Sequence, residues 1–428
     1  MGDRMSRRRI LGGAGAAAFA QFAVAPGRGE PSGDGLRMPD EAGPRAATWM
    51  AFGATARAWG TTGTYGASRA AARRDLMRIA ANLSRFEPVK MLVDDAADLA
   101  EARRYLAEAK AAPEPKFAGL HALPPIEAAG AVSFVAHPLD DLWMRDTGPV
   151  FVRDAHGAPH GVNFNFNGWG QADTGAKGWR KDAQKAAHGV ADQAIAADRT
   201  VADFVTGQAG AAKVSTWLVM EGGGVEVDGE GTAICTESCI LNPNRNPGRS
   251  KAEVEAELGR LLGVRKVIWL PGIRAKEVTD GHVDFYARFV GRAKVAYALD
   301  GDPQSPDFAP TRANARILAA ASDAHGRKIE AVALKAPDFA RVQAAVEARN
   351  GWRAGRSYFN AAGFAAGYVG FYAGAKCVLM AAFGDPAADA AAFAALAALY
   401  PDRALLQFAT DGIANGGGTI HCATQQQI

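Results

Sequence analysis

Glu221-Gly-Gly-Gly-Val225 and Asn415-Gly-Gly-Gly-Thr419 are nearly the same phrase, written at two distant places in a chain of 428 residues. Three further stations of glycine and polar residues stand before or between them: Trp143-Met-Arg-Asp-Thr-Gly-Pro149, Asp280-Gly-His-Val-Asp284 and Ser357-Tyr-Phe-Asn360. Successive stations lie roughly 60 to 75 residues apart, about the length of one supersecondary unit. The rhythm predicts about five similar modules, each delivering polar residues to a shared centre. A chain with 49 glycines can also echo itself by chance, so the chemistry of the stations has to carry the argument further.

Strand-like and helix-like segments alternate between the stations. Leu76, Ile79, Ala80 and Leu83 recur at helical spacing within 67–85. Val89–Val93 and Val132–Ala136 read as strands, with an amphipathic helix over 98–111 between them. Ser250-Lys-Ala-Glu253 is a capping box that opens a helix through Leu262. Val267–Leu270 and Val295–Leu299 read as strands, and 313–324 as a helix. The mixture predicts an α/β or α+β fold and argues against an all-α one. No long Pro- or Ser-rich linker interrupts 36–428, which therefore reads as a single domain.

The first thirty-five residues differ in kind. Met5-Ser-Arg-Arg-Arg-Ile-Leu11 precedes a weakly apolar run of small residues from Gly12 to Ala25. A basic head followed by a short apolar stretch predicts an export signal over 1–35, and adjacent arginines point to the twin-arginine route and a periplasmic destination. The run is too short to span a membrane. The chain as a whole is 48% hydrophobic and 22% charged, ordinary for one with a large core. With 48 basic against 45 acidic residues, nothing favours nucleic acid or a membrane as partner. A small cationic substrate stays open, because a few local carboxylates can hold one. The sequence is compatible with a homo-oligomer but does not indicate one.

Four cysteines are too few for a disulfide scaffold. Cys235 and Cys239 read as core, since free Cys behaves as a small buried hydrophobe. Cys422 follows Gly416-Gly-Gly418, where glycines let a ligand approach the backbone. A thiol there could be a nucleophile or a packed residue. His421 beside it would point the other way along a strand, so a remote base is expected. In Asp280-Gly-His-Val-Asp284 an extended backbone would put Asp280, His282 and Asp284 on one face. A His between carboxylates suits general acid and base work; a metal site or a capped turn are the other readings. Asp146 could hold a cation with Trp143 stacked on it. Glu221 alone is a turn carboxylate. Asn163-Phe-Asn-Phe-Asn-Gly-Trp-Gly170, which contains Trp169, could face a pocket with one side and the core with the other, or simply turn a hairpin.

Taken together, the motifs resemble the agmatine deiminase and bacterial peptidyl-arginine deiminase family of guanidino-group-modifying enzymes. The resemblance runs from Met38-Pro-Asp-Glu41 to the C-terminus. It is carried by Asp140-Asp-Leu-Trp-Met-Arg-Asp-Thr-Gly-Pro149, Asn163 to Gly170, Glu221-Gly-Gly223, Leu241-Asn-Pro-Asn-Arg-Asn-Pro247, Asp280-Gly-His-Val-Asp284 and Gly416-Gly-Gly-Thr-Ile-His-Cys-Ala-Thr-Gln-Gln-Gln427. It implies an α/β fold of a particular kind, a five-bladed α/β propeller with pseudo-fivefold symmetry. It implies Cys422 as nucleophile, His282 as general acid and base, Asp146 and Asp284 as the carboxylates gripping a guanidinium, and Glu221 as support for the His. Trp143 and Trp169 are expected to line the substrate's alkyl chain. No metal or organic cofactor is implied. The expected reaction hydrolyses agmatine to N-carbamoylputrescine and ammonia through a covalent Cys thiouronium. Deimination of peptidyl or free arginine, amidine transfer, and non-catalytic guanidine binding are the alternatives. The sequence departs from the family pattern at Ala42, at Phe52-Gly53 and after Asn360, positions expected around the substrate's far end.

Overall fold

Each polar-and-glycine station that falls within the structure becomes a short helical turn just ahead of a strand. The computed structural model describes residues 35–61, 63–170, 194–352 and 363–428. Met144–Thr147 precedes the strand Val150–Arg153, Gly222–Gly224 precedes Val225–Val227, and Val283–Phe285 precedes Ala287–Gly291. Asp411–Asn415 opens the last station, which runs into the strand Gln425–Gln427. The station at 357–360 lies outside the described residues. In the corresponding place, ahead of the strand Tyr372–Ala373, stands the turn Tyr368–Gly370. The export signal expected over 1–35 also lies, but for Gly35, outside the described residues.

After each turn comes the same sequence of elements. The strand Val225–Val227 pairs antiparallel with Thr232–Thr236; the helix Lys251–Leu262 follows; Lys266–Leu270 then pairs parallel with Thr232–Thr236. The same order recurs in Val150–Arg153, Pro159–Asn163, helix Asp198–Gln208 and Ala212–Ser215. It recurs in Ala287–Gly291, Lys294–Leu299, helix Phe308–Ala320 and Glu330–Lys335. It recurs again in Tyr372–Ala373, Cys377–Ala381, helix Pro386–Leu399 and Ala404–Phe408, with Lys116–Ala118 added at the edge. The fifth copy joins the two ends of the described chain. Gln425–Gln427 pairs antiparallel with Ala47–Ala51, the helix Gly63–Leu83 follows, and Val89–Val93 pairs parallel, with Val132–Ala136 beyond it. The described strands thus form five sheets of three or four strands in a mixed α/β fold.

Local chemistry sets these boundaries. The capping box expected at Ser250 is present, its hydroxyl accepting from Glu253 N–H, and the helix ends at Gly263 with φ of 70°. One expectation shifts. The helix expected over 313–324 runs instead over Phe308–Ala320, because Asp323 folds the chain back, accepting from the N–H groups of His325 and Arg327. The short turns pack against one another. Gly222–Gly224 contacts both Met144–Thr147 and Val283–Phe285, and Val283–Phe285 contacts Tyr368–Gly370. His421 N–H donates to Gly370 O at 3.1 Å, and Arg145 N–H donates to Cys422 O at 3.0 Å. The turns of all five modules therefore touch in cyclic order, and glycine makes the approach close. A Cβ on Gly222 would lie 2.4 Å from Arg145 O.

Candidate active site

Asp146, His282 and Asp284 converge on one point, and that point is Gly223. A Cβ there would meet His282 Nδ1 at 2.5 Å, Asp146 Oδ1 at 3.0 Å and Asp284 Oδ2 at 3.1 Å. Three titratable groups from two different modules thus face the open side of a third module's glycine. Cys422 joins from the fifth module, its Sγ 3.7 Å from Asp284 Oδ2 and 3.4 Å from Thr419 Oγ1. All four residues are buried.

Asp146 is anchored through both oxygens. Oδ2 accepts from the Trp169 indole N–H at 2.8 Å, and Oδ1 accepts from Gly223 N–H at 3.2 Å. Burial pushes its pKa up to about 6, with Glu221 and Asp284 adding repulsion and His282 opposing it. Asp284 behaves differently. Burial would raise it too, but the hydrogen bond and charge of His421 prevail and hold it below the usual range. Its Oδ2 faces His421 Nδ1 at 2.7 Å, while Oδ1 is buried with no partner among the described residues. A buried orphan acceptor is costly unless a ligand pairs with it.

His282 carries a fixed orientation. Its Nε2 lies 3.0 Å from Glu221 Oε2, and its Nδ1, 3.8 Å from Asp146 Oδ1, faces the centre. Burial would strip its proton; the Asp146 carboxylate, with the Cys239 sulfur and the Glu221 bond, outweighs burial and raises its pKa well above the ordinary value. Glu221 is itself fully buried, and here too burial opposes the charge. Arg245 wins, its Nε lying 3.0 Å from both oxygens, and Glu221 falls to about 2. Cys422 is pushed the other way. Burial, then Asp284 and Asp146, raise its thiol well above the ordinary value. A cation brought between Asp146 and Asp284 would neutralise both carboxylates and remove that repulsion.

Several expectations about local geometry are corrected. Residues 280–284 are not an extended run, since Asp280 sits at φ of 62° and Val283–Phe285 is a helical turn. His282 and Asp284 still meet at the centre, but Asp280 points away, pairing with Arg245 Nη1 at 2.8 Å and Asn244 Nδ2 at 2.9 Å. His421 does not lie on a strand either; it sits in a turn and reaches Asp284. The alternation expected over 163–170 holds as far as Phe166, with Phe164 and Phe166 buried and Asn165 exposed between them; beyond it Asn167 and Trp169 are buried together, and Asn165 and Trp169 take positive φ. Trp143 lies beneath the glycines of 416–418, where a Cβ on Gly418 would fall 2.0 Å from its ring, and its indole N–H donates to Asp141 Oδ2. Phe52 and Ala42 are core positions. Phe52 is fully buried beneath the Arg73 guanidinium, and Ala42 packs with Val290 and Tyr400.

Four contributors carried no role in the sequence reading: Arg245, Cys239, His421 and Glu41. Arg245 stands inside the quoted Leu241–Pro247 motif, so its signal was present but its partner was not. Glu221, Cys239 and His282 approach one another closely enough to share an ion, as do Glu41, Glu226 and His421. In both groups a buried arginine already neutralises a carboxylate, Arg245 on Glu221 and Arg288 on Glu41 and Glu226. That donor set suits an internal ion pair better than a metal.

Filling the central space should be costly. Gly223→Ala is expected to lower kcat/KM by at least about a hundredfold, since the methyl group occupies the place where substrate must sit. Steady-state kinetics beside an unfolding curve checks this; near-normal turnover would show that the reacting group sits elsewhere.

The chain is similar to known proteins along nearly its whole described length. The profile of the Porphyromonas-type peptidyl-arginine deiminases matches residues 37–427. The agmatine deiminase of Pseudomonas fluorescens SBW25 is 33% identical over 402 residues, covering 93% of this chain and 96% of that protein. That of Pseudomonas aeruginosa LESB58 is 34% identical over 401 residues, with the same coverage. Among solved structures, the agmatine deiminase of Enterococcus faecalis superposes with a TM-score of 0.69 at 27% identity, covering 92% of this chain and 96% of that one. The C. jejuni agmatine deiminase with substrate bound shares the fold, with a TM-score of 0.67 at 17% identity and coverage of 92% and 97%.

Proposed function

Because the chain belongs to the Porphyromonas-type peptidyl-arginine deiminase family, we propose that it hydrolyses the guanidinium of agmatine to N-carbamoylputrescine and ammonia, using Cys422 as nucleophile. The chain is a hydrolase of C–N bonds in linear amidines. The observation that carries the reading is the convergence of His282, Asp146 and Asp284 at Gly223, with Cys422 alongside.

A guanidinium is planar, cationic and resonance-stabilised, so its carbon resists attack. Asp146 and Asp284 grip it from two sides by charge-assisted hydrogen bonds, the unpaired Asp284 Oδ1 taking one N–H. The bound cation offsets the two carboxylates that disfavour ionisation of Cys422, so thiolate forms where it is needed. The sulfur adds to the guanidinium carbon, and His282 gives its Nδ1 proton to the departing ammonia. The same nitrogen then takes a proton from water, which adds to the thiouronium carbon and releases Cys422 with the ureido product. Glu221, held ionised by Arg245, keeps the ring oriented through Nε2.

The five sheets read best as five blades of an α/β propeller about this centre. Their recurring strand–strand–helix–strand order supports that reading. The cyclic contacts of their turns support it as well.

Agmatine is favoured over free arginine by what surrounds the centre. Arg145, Arg245 and Arg288 are each committed to an internal carboxylate. An arginine substrate would bring an α-carboxylate that, among the described residues, finds no free cation there. Leaving it unpaired costs on the order of several kcal/mol. Ureido-product assays against agmatine, arginine and an arginyl peptide test this, and a higher kcat/KM for either of the latter two would reject it. For agmatine, kcat/KM should fall as pH drops through about 6, because Asp146 gains a proton there and releases its hold on the cation.

A further inference from the structure

We infer that Glu41 and His421 form a positioning pair that fixes the orientation in which Asp284 presents its carboxylate to the substrate. The inference rests on the reading that Asp284 grips a guanidinium.

The His421 backbone is locked on both sides, its N–H donating to Gly370 O at 3.1 Å and its carbonyl accepting from Arg145 Nε at 3.3 Å. The ring is then aimed along one line, with Nδ1 2.7 Å from Asp284 Oδ2 and Nε2 2.9 Å from Glu41 Oε2. Carboxylates accept and do not donate, so an ionised Asp284 requires an N–H on Nδ1. Glu41 does not drift, because Arg145 holds its Oε1 at 3.1 Å and Arg288 holds its Oε2 at 2.8 Å. Arg288 is fixed in turn by Glu226 at 2.8 Å and by Phe371 O at 2.8 Å. A buried chain therefore runs from Glu41 through His421 to Asp284.

The consequence lies in the difference between the two oxygens of Asp284. Oδ2 is spent on His421, beside Cys422 Sγ; Oδ1 is left free. The same Oδ2 also faces Asp146 and His282 across the Gly223 space. Without His421, burial favours a protonated Asp284, opposed only by the charges of His282 and Arg288. A protonated Asp284 could no longer act as an anionic grip on a cation.

The test combines two readouts. On a Cys422→Ser background, agmatine binding is measured by calorimetry across the acid range, with and without Glu41→Gln or His421→Ala. In the active enzyme, the acid limb of kcat/KM is measured for Glu41→Gln, His421→Ala and His421→Asn. The parent limb should have the slope of one proton, from Asp146. Glu41→Gln and His421→Ala should move it to higher pH and steepen it towards two protons, as Asp284 begins to titrate. Binding should weaken about tenfold for each pH unit below the point at which Asp284 now titrates. His421→Asn, which can still offer an amide N–H to Asp284, should recover part of the loss seen in His421→Ala. A folded Glu41→Gln or His421→Asn enzyme with an unmoved acid limb overturns the pair, even if overall activity falls. Failure of the Cys422→Ser parent itself to bind agmatine overturns the guanidinium reading and the pair with it.

Discussion

Cys422→Ser is expected to lower turnover of agmatine by at least about a thousandfold while leaving the fold intact. A hydroxyl is far less ionised than a thiol at neutral pH, and the carboxylates beside this position penalise an anion further. A thousandfold corresponds to about 4 kcal/mol of lost transition-state stabilisation. Binding should persist, because Asp146 and Asp284 are untouched and Ser is close to Cys in size. The expected signature is therefore a lost kcat with agmatine still held, measured by ureido-product formation and by calorimetry on the same preparation. Substantial activity in the Ser variant would shift the chemistry to water attack with His282 as base, and Cys422 would become a packing residue. The other thiols are buried as Cys422 is, and position separates them: Cys239 faces Glu221 Oε2 at 3.8 Å and Cys377 lies against Gly374, whereas Cys422 lies beside Asp284.

Arg245→Leu should be the most damaging change to stability. Arg245 is completely buried between Glu221, at 3.0 Å, and Asp280, at 2.8 Å, and donates through Nη2 to Thr279 O at 2.9 Å. Removing one partner of a buried ion pair leaves an uncompensated charge, at a cost of about 3–5 kcal/mol. Here two carboxylates are stranded together. The sign of the pH dependence follows from Glu221. Its folded pKa is lowered, so in the wild type it contributes stability above the ordinary carboxylate range, lost only as pH falls towards about 2. In the variant the same group is buried without its cation, its pKa rises, and protonation on folding becomes favourable as pH falls. The stability gap between the two proteins should thus be widest near neutrality and shrink towards pH 4. Denaturant unfolding across that range measures it; a gap independent of pH would mean that the loss is one of packing and not of charge.

What the sequence disclosed depended on whether a residue acts through local or distant neighbours. The module rhythm was legible because each station needs glycine and polar residues at the turn ahead of a strand. Cys422, His282, Asp146, Asp284 and Glu221 stand inside those stations, and the fold brings them together. The relation between residues within a station was harder to read. Asp280 looked like a neighbour of His282, but its left-handed φ breaks the alternation and turns it to Arg245. His421 looked excluded because a strand was assumed where the chain makes a turn. The supports that cross between modules were invisible as a class. Nothing near Glu41 in sequence announces that its carboxylate meets His421, 380 positions away, or Arg288, 247 positions away. Ala42 and Phe52, where the chain departs from the family pattern, are both buried, Phe52 in the cluster that also holds Trp143, Trp169 and Cys422.

The central claim is that Cys422 forms a bond to the guanidinium carbon, and trapping that bond tests it most directly. Replacing His282 by Ala slows both halves of the reaction, since the same ring protonates ammonia and activates water, but it slows hydrolysis more, because Asp146 and Asp284 still hold and polarise the substrate for attack. Acid-quenching this variant during reaction with agmatine, followed by digestion and mass spectrometry, should show the amidine-derived adduct on the C-terminal peptide that carries Cys422. An adduct mapping to Cys239, or full turnover by His282→Ala with no adduct on any peptide, would contradict the account.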